Sequence, residues 1–180
     1  MRLYLIRHPR PLVGAGICYG STDLAVDGHE VERVSGALRQ TLPANAALYA
    51  SPLRRCATLA RRLGYQDCQL DPRLQEIDFG AWEMRAWNDI PRAEIDAWAA
   101  DPVHYHPGGG DCVLHMTTRV AHFLTDLVER GSANAVVVCH AGTIRLLTAL
   151  QGGAALAQAA HQAATTPHSI GYGATITLEF

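Results

Sequence analysis

The amino-acid sequence predicts an α/β fold, a three-layer α/β/α sandwich with a mainly parallel central sheet. Short, uninterrupted apolar runs are typical of strands buried on both faces of a parallel sheet, and amphipathic helical segments separate these runs. The longest runs also end abruptly at polar residues. With 48% hydrophobic and 18% charged residues, the 180-residue chain suits a single domain spanning 1–180.

The first apolar run is Leu3–Ile6, which leads directly into Arg7, His8 and Pro9. A buried strand here would carry Arg7 and His8 to its carboxyl end, which is where open α/β sheets bind their ligands. The residues that follow, up to Leu24, are rich in glycine and proline, and we expect them to form a loop.

A helix is predicted to begin after Asp27. Glu30 follows three residues later, and this spacing indicates a capping box in which Asp27 caps the helix and Glu30 reaches back. Apolar residues then recur at helical spacing as far as Thr41, where we expect the helix to end.

The second predicted strand is Ala46–Ala50, and a helix should follow it at once. Ser51 and Pro52 come directly after the strand, and they match a serine N-cap followed by proline in the first helical position. This helix is expected to end at Gly64.

The rest of the chain continues the alternation of strands and helices. The predicted elements are a third strand at Cys68–Leu70, a loop at Leu74–Trp82, a short helix at Ile90–Ala100, a Pro/Gly-rich loop at Asp101–Asp111, an amphipathic helix at Met116–Val128, a strand at Ala135–Cys139, a helix at Thr143–Leu150, a surface helix at 154–164, and two closing strands at Ser169–Tyr172 and Thr175–Phe180. No internal repeat interrupts this order.

Three of the predicted strands end in groups that favour an anion. His8 with Arg7 ends the first, Arg55 lies just after the second, and His140 follows Ala135–Cys139. Because the carboxyl ends of parallel strands lie at one edge of a sheet, these side chains should converge beside two helix N-termini. No acidic cluster lies near them in sequence, and the combination therefore predicts a phosphate pocket.

Bulk charge and cysteine usage exclude several other classes of function. A formal net charge of −2 gives no field for nucleic acid, and no apolar run is long enough to span a membrane. The five cysteines show no C-x-x-C spacing, which argues against a disulfide framework or a zinc knuckle and favours the cytoplasm. All 15 basic residues are arginine, and so any phosphate site must use arginine, histidine and backbone N–H groups.

A metal centre is the competing use of histidine. His104 and His106 lie close together in the Pro/Gly-rich loop, His115 follows, and Asp111 could join them. Their spacing matches no familiar ligand motif, and arginines beside His8 disfavour a cation there. We therefore expect no metal and no other cofactor at the predicted site.

Four stretches of the sequence together resemble the histidine phosphatase superfamily, also called the phosphoglycerate mutase-like family. They are Arg7-His8, Ser51–Cys56, Leu74–Glu83 and His140–Gly142, and they occur in the family's order over nearly the whole chain. The resemblance implies a phosphoglycerate mutase-like fold and a metal-independent phosphomonoesterase. Within the family, the chain is most similar to the α-ribazole-phosphate phosphatase branch, whose members act in the assembly of the cobalamin nucleotide loop.

The resemblance also implies a role for each matching residue. His8 would be the nucleophile that forms a phosphohistidine, while Arg7, Arg55 and His140 would hold the phosphate oxygens. Glu76 would protonate the leaving alcohol and later activate water. His8 must be neutral to attack, and the neighbouring arginines disfavour its protonated form.

Several departures from the family pattern lie where the leaving group of the substrate would sit. The family's glycine after Arg-His is Pro9, its phosphate-binding asparagine is replaced near Gly14, and Met84 stands where a glycine is usual. The common P-G-G-E-S stretch reads Pro107–Cys112 here, with an extra glycine or a shifted register and a shorter acid. The expected substrate-binding residues are Arg10, Ser21, Ala141 and Trp82, with Arg10 or Ser21 replacing the asparagine.

Two alternatives remain at this point. One keeps the fold but assigns a broad-specificity phosphatase or a phosphoglycerate mutase acting on another small phosphate ester. The other is a phosphate-ester binding module without catalysis, although such a module would not require both His8 and Glu76. The sequence predicts a small-molecule substrate and no nucleic acid or membrane partner, and it leaves the oligomeric state open.

Overall fold

The computed structural model describes residues 1–180 and alternates strands with helices throughout. The strands are β1 (Arg2–Arg7), β2 (Ala47–Ala50), β3 (Cys68–Leu70), β4 (Asn134–Cys139) and β5 (Thr175–Glu179). The helices are α1 (Gly28–Arg39), α2 (Arg54–Arg62), α3 (Arg92–Ala100), α4 (Val113–Glu129), α5 (Ala141–Leu150) and α6 (Leu156–Thr165). None of these helices combines the length and apolar character that crossing a membrane requires.

The five strands form one mainly parallel sheet, as the sequence predicts. Their order is β3-β2-β4-β1-β5, with β5 alone antiparallel to its neighbour. Because β1, β2 and β4 are parallel and adjacent, their carboxyl ends lie together at one edge. The residues that follow these three strands are therefore brought side by side, which is where the site is built.

Helices cover both faces of the sheet and complete the three layers. Alternate residues of a strand point to opposite faces: Leu5 and Val137 pack with α4, α5 and α6, whereas Ile6 and Val138 pack with α1 and α2. Burial on both faces explains why β1 and β4 consist of continuous apolar runs rather than alternating ones. The predicted α/β/α sandwich is confirmed.

The segment between β3 and α4 forms an excursion that packs on an aromatic cluster of its own. Four 3₁₀ turns and α3 make up this segment. Trp82 and Cys18 are fully buried at the centre of the cluster, and Trp87, Trp98 and Phe79 pack around them. The stacked rings of Trp87 and Trp98 lie 6.1 Å apart between centroids. This cluster supports the loop that forms one wall of the site.

The start of α2 differs from the prediction. The helix begins at Arg54 with Leu53 as its N-cap residue, and no side chain caps it. Ser51 lies two residues earlier, where its Oγ accepts a long hydrogen bond from the Leu53 amide at 3.4 Å and lies 2.8 Å from His140 Nε2. A serine after a strand and before a proline matches a cap locally, but here a long-range partner binds the hydroxyl.

The capping box at α1 forms only in part. Asp27 accepts a hydrogen bond from the Glu30 amide at 3.0 Å, as predicted. The Glu30 carboxylate does not reach back, since it pairs with Arg33 one turn later at 2.7 Å. An arginine at i+3 competes for the carboxylate, and the helix keeps half of the motif.

One prediction near the C-terminus is wrong. The segment 169–172 is not a strand: it belongs to a turn, in which the Gly173 amide donates to the Arg7 carbonyl at 3.0 Å. Gly173 adopts a φ of +73°, which favours a turn over continued pairing. The surface helix predicted at 154–164 is α6, most of whose residues are exposed, while Ala159 and Ala163 are buried against α4 and α5.

Candidate active site

His8 lies just beyond the end of β1, and its side chain is almost fully buried, with 2% exposed. Its Nδ1 atom is 2.7 Å from the Pro9 carbonyl oxygen. Because a carbonyl can only accept, Nδ1 carries the proton and Nε2 keeps its lone pair. Burial, followed by the charges of Arg55 and Arg7, lowers the pKa of His8 to about 3. The ring is therefore a neutral nucleophile at physiological pH.

His140 and Arg55 form a buried pair beside His8. The two imidazole rings of His8 and His140 lie 5.1 Å apart between centroids. Arg55 Nε donates to His140 Nδ1 at 3.3 Å, and so His140 Nε2 carries the proton that points to Ser51 Oγ. Burial, then the repulsion that a protonated ring would meet from His8 and from the charge of Arg55, lowers the pKa of His140 well below its ordinary value. Like His8, His140 is neutral.

Arg55 is held by main-chain oxygens rather than by an acid. Its two terminal nitrogens donate to the Thr22 carbonyl at 2.7 Å and to the Gly20 carbonyl at 2.5 Å. A guanidinium has five N–H donors, of which these bonds and the bond to His140 use three. A fully buried positive charge without a carboxylate partner is costly unless an anion binds there. Arg55 thus favours phosphate.

Arg7 supplies a second cation to the same site. Its guanidinium stacks on the Tyr172 ring at 3.9 Å from the ring centroid, and it donates to the Ile170 carbonyl at 2.6 Å. Its Nε atom is buried without any hydrogen-bond partner. The Tyr172 ring also lies 5.6 Å from the His8 ring, between centroids. The orphaned donor is a second feature that a bound anion would satisfy.

Glu76 is positioned by the first turn of α5. The Gly142 amide donates to Glu76 Oε2 at 3.1 Å, and the Ile77 amide donates to Oε1 at 3.1 Å. Arg119 of α4 fixes the loop from behind by donating to the Gln75 and Glu76 carbonyls, at 2.7 and 3.2 Å. The carboxylate is thereby placed beside the helix that follows His140.

A cavity of about 270 Å³ opens beside Glu76. Its walls are mostly apolar and include Phe79, Trp98 and Met116, while Arg145 and Tyr19 add polar groups. The Nε atom of Arg145 is buried without a hydrogen-bond partner. An apolar cavity with few polar groups is typical of a site for a small organic molecule. The buried cationic cluster and this cavity together fit an organic phosphate ester.

The family of this chain is shown by its similarity to known proteins. The model of the histidine phosphatase superfamily (branch 1) matches residues 3–172. The chain belongs to this superfamily. It is accordingly a phosphatase, and the four stretches on which the resemblance rested all lie inside the matched range.

Similar proteins point to one branch of the histidine phosphatases. The adenosylcobalamin/alpha-ribazole phosphatase of Escherichia coli (strain K12) is 32% identical over 160 residues, which is 83% of this chain and 78% of that protein. A relative from Hydrogenobacter thermophilus, provisionally named phosphoserine phosphatase 2, is 30% identical over 86% of this chain and 80% of its own. The crystal structure of the alpha-ribazole phosphatase from Shigella flexneri has a TM-score of 0.82 at 26% identity, covering 99% of this chain and 90% of that one.

The structure brings together the five residues that the histidine phosphatase motifs single out. His8, Arg55 and His140 form one buried cluster, the half-buried Arg7 lies beside it, and Glu76 is hydrogen-bonded to the helix that follows His140. These residues come from three separate strand ends and one loop. Their convergence agrees with the expected phosphate pocket, which the sequence placed at the carboxyl edge of the sheet.

The four expected substrate-binding residues are placed differently from one another. Ala141 begins α5 and lines the cavity. Arg10 is exposed and does not line the cavity, and its guanidinium lies 5.4 Å from the Tyr172 ring centroid. The amide and hydroxyl of Ser21 both donate to Glu83, at 2.7 and 3.1 Å. Trp82 must be corrected, because a fully buried indole that donates to Glu94 cannot touch a substrate.

Three residues of the site were missed at the sequence level. Ser51 holds the His140 ring, Tyr172 packs against His8, and Glu83 accepts five hydrogen bonds from Ser21, Thr22 and Phe79. Burial raises the pKa of Glu83, but these hydrogen bonds outweigh it and hold the pKa below its usual value. Ser51 and Glu83 lay inside family motifs, but nothing in their spacing indicated what either side chain binds.

Proposed function

We propose that this histidine phosphatase is a phosphomonoesterase that hydrolyses α-ribazole 5′-phosphate through a phosphohistidine intermediate. The observation that carries the chemistry is the neutral, buried His8 with an unprotonated Nε2 beside two arginines that lack carboxylate partners. The substrate is proposed from the names of the similar proteins, which are alpha-ribazole phosphatases. We propose residues 1–180 as the single catalytic domain.

In the first step, His8 Nε2 attacks phosphorus in line with the ester oxygen. The N–P bond forms as the P–O bond breaks, and the electron pair of that bond leaves with the alcohol oxygen. Nδ1 keeps its proton throughout and donates a hydrogen bond to the Pro9 carbonyl. The developing imidazolium is therefore stabilised by an oriented dipole.

The negative charge of the transferring phosphoryl group is stabilised by hydrogen-bond donors that are already in place. Arg7 Nε and the two unused N–H groups of Arg55 donate to the equatorial phosphate oxygens. His140 contributes its Nε2–H, which exchanges the bond to Ser51 for a phosphate oxygen. The amide of Ala141, at the N-terminus of α5, adds a further donor. Preorganised donors of this kind cost no reorganisation during the reaction.

Glu76 moves the protons. In the first step it protonates the leaving alcohol oxygen, and in the second it accepts a proton from the water that attacks the phosphohistidine. Its hydrogen bond to the Gly142 amide keeps one carboxylate oxygen at the mouth of the cavity. The products are the free alcohol and inorganic phosphate, and His8 is regenerated.

The cavity supports a substrate with a flat apolar base. Phe79, Trp98 and Met116 offer the surfaces on which a benzimidazole ring would stack. Arg10, which is exposed and lies near Tyr172, is proposed to contact polar groups of the ribose phosphate. L-Phosphoserine is the second candidate, since the relative from Hydrogenobacter thermophilus carries that provisional name. The cytoplasm is the proposed location, because free thiols are typical of reducing compartments.

The chemistry is tested on the His8→Ala variant with p-nitrophenyl phosphate. We expect loss of turnover and of the acid-labile, base-stable phosphoenzyme trapped from a ³²P-labelled ester. His29→Ala, which removes an exposed histidine on α1, is the matched control and should behave as wild type. EDTA should leave the initial rate unchanged. An active His8→Ala enzyme that EDTA inhibits would refute the mechanism, and tight phosphate binding without turnover would favour the non-catalytic module.

The substrate is tested by measuring kcat/KM on a panel of esters. The panel contains α-ribazole 5′-phosphate, L-phosphoserine, 3-phosphoglycerate and p-nitrophenyl phosphate. We expect α-ribazole 5′-phosphate to exceed every other ester by at least about tenfold, a ratio worth roughly 1.4 kcal/mol of transition-state binding. A flat profile would indicate a broad-specificity phosphatase, and isomerisation of 3-phosphoglycerate would indicate a mutase.

A further inference from the structure

A second cluster of chemically active side chains lies outside the active site, where the glycine-rich loop meets α4. His106, Cys112 and His115 each offer one ligand atom, and these three atoms all lie within 4.8 Å of one another. The two imidazole rings are T-shaped, with centroids 5.4 Å apart. His104, which the sequence grouped with them, instead pairs with Asp101 at 3.0 Å. The structure thus replaces His104 in that group by Cys112.

Each of these histidines has a carbonyl or carboxylate oxygen near one ring nitrogen, as metal-binding histidines commonly do. His106 Nδ1 lies 2.8 Å from the Gly110 carbonyl, which can only accept, and so Nε2 keeps its lone pair. His115 Nδ1 lies 3.4 Å from a carboxylate oxygen of Asp111. Histidines that bind metal commonly donate their other ring nitrogen to a carbonyl or a carboxylate, which fixes the tautomer.

The backbone that carries the ligands is held rigidly. A Cβ on Gly108 would lie 2.3 Å from the Phe79 carbonyl oxygen, and a Cβ on Gly110 would lie 2.3 Å from the Asp78 carbonyl oxygen. These close approaches clamp the loop onto the segment that follows Glu76. Cys112 is buried at the start of α4, whereas the His106 and His115 rings are exposed and can adjust.

The spacing requires only a small adjustment to hold a metal ion. Around tetrahedral zinc, with bonds of about 2.0–2.3 Å, ligand atoms lie roughly 3.4–3.6 Å apart. The present limit of 4.8 Å therefore calls for movements of about 1 Å, which the two exposed rings can supply. One thiolate and two imidazoles form a soft, borderline donor set that selects zinc or copper over magnesium or calcium.

We propose that His106, Cys112 and His115 bind a zinc ion, with a water molecule as the fourth ligand. The ion would tie the glycine-rich loop to the first turn of α4. Val113 and Met116, which follow Cys112 on that helix, line the substrate cavity. The site is separate from the phosphate pocket, takes no part in phosphoryl transfer, and stands whether or not the proposed substrate is correct.

The test uses full-length protein without an affinity tag, stripped with chelator and dialysed against Zn²⁺ or Co²⁺ at micromolar free concentration. We expect one equivalent of metal per chain and a thiolate-to-cobalt charge-transfer band in the near ultraviolet. Zinc at about one hundred times its Kd should raise Tm by roughly 5–10 °C, since binding to the folded state alone stabilises it.

Matched variants locate the site. Cys112→Ser and His115→Gln should each lose the tightly bound metal, the cobalt band and the zinc-dependent rise in Tm, whereas His104→Gln and Cys68→Ser should keep all three. His8→Ala should also keep them, which separates this site from any metal bound at the catalytic histidines. Undiminished binding by Cys112→Ser, or less than about 0.2 equivalents bound by the wild type, would overturn the proposal.

Discussion

Gly142 offers a sharp test of the role of Glu76, because replacing it adds one methyl group beside the carboxylate. A Cβ at Gly142 would lie 2.3 Å from Glu76 Oε1 and 3.2 Å from Oε2. Since unstrained contacts between non-bonded carbon atoms lie at about 3.5–4.0 Å and those to oxygen only slightly closer, Oε1 must move by roughly 1 Å in Gly142→Ala. Glu76 is the flexible partner, and it will be displaced rather than the helix.

The expected result is a large loss of activity without a loss of stability. A misplacement of about 1 Å can lower a rate by about 100-fold, or roughly 2.7 kcal/mol. Alanine is more favourable than glycine inside a helix by about 0.5–1 kcal/mol, and so Tm should stay level or rise by a few degrees. The loss should be greatest for alkyl esters, whose leaving oxygen needs the proton of Glu76. It should be smaller for p-nitrophenyl phosphate, whose leaving group departs as a stable anion.

The assay compares kcat for an alkyl phosphate and for p-nitrophenyl phosphate in the wild type, Gly142→Ala, Glu76→Gln and the double variant. Gly36→Ala is the matched control, because a Cβ at this helical glycine meets nothing within 4 Å. The two active-site changes should not be additive, since both remove the same proton donor. Wild-type kcat for the alkyl ester in Gly142→Ala would refute the reasoning, as would equal losses for the two leaving groups.

Three further predictions concern the surroundings of the site. His8 should remain neutral at pH 5 in an NMR titration, because its pKa of about 3 lies below the ordinary 6.5. Between pH 3 and pH 6.5 the folded state therefore binds fewer protons than the unfolded state. The free energy of unfolding should rise with pH over this range and level off above about pH 6.5. A His8 titration midpoint near 6.5 would contradict this. Ser51→Ala should cost about 1–3 kcal/mol in urea unfolding and lower kcat several-fold, since it leaves His140 Nε2 buried without an acceptor. Ser35→Ala, at a buried serine that bonds only within α1, should leave kcat unchanged. Met84→Gly should raise Tm by about 1–3 °C, because Met84 has a φ of 64° that glycine adopts without strain, whereas Met84→Ala should give no gain.

The sheet and its functional edge could be predicted because they depend on local pattern and on general rules of topology. The apolar runs in β1 and β4 are continuous because both faces of these strands are covered. Such burial can be recognised from consecutive residues of the sequence alone. Polar groups that follow such runs must appear at the carboxyl edge of a parallel sheet. His8, Arg55 and His140 were therefore placed together without knowledge of a single contact.

The partners of these residues could not be predicted in the same way. Ser51 has the local signature of a helix cap, but its hydroxyl bonds to His140, which lies 89 positions away in sequence. Trp82 lies in a family motif, yet it is buried because aromatic residues from later in the same excursion, Trp87 and Trp98, pack around it. Tyr172 reaches His8 through a glycine turn that resembles a strand in sequence. Each outcome was decided by competition between distant groups.

Glu83 orients the cationic cluster without any acid in contact with the Arg55 guanidinium. Glu83 accepts the Thr22 and Ser21 amides, at 2.6 and 2.7 Å, and so fixes the backbone of that loop. The Thr22 and Gly20 carbonyls of this loop then accept from Arg55, which in turn donates to His140. The carboxylate thus acts through the main chain and stays out of direct contact with the guanidinium. Arg55 is held in place while its positive charge remains available for a phosphate. A direct ion pair with a carboxylate would instead neutralise that charge.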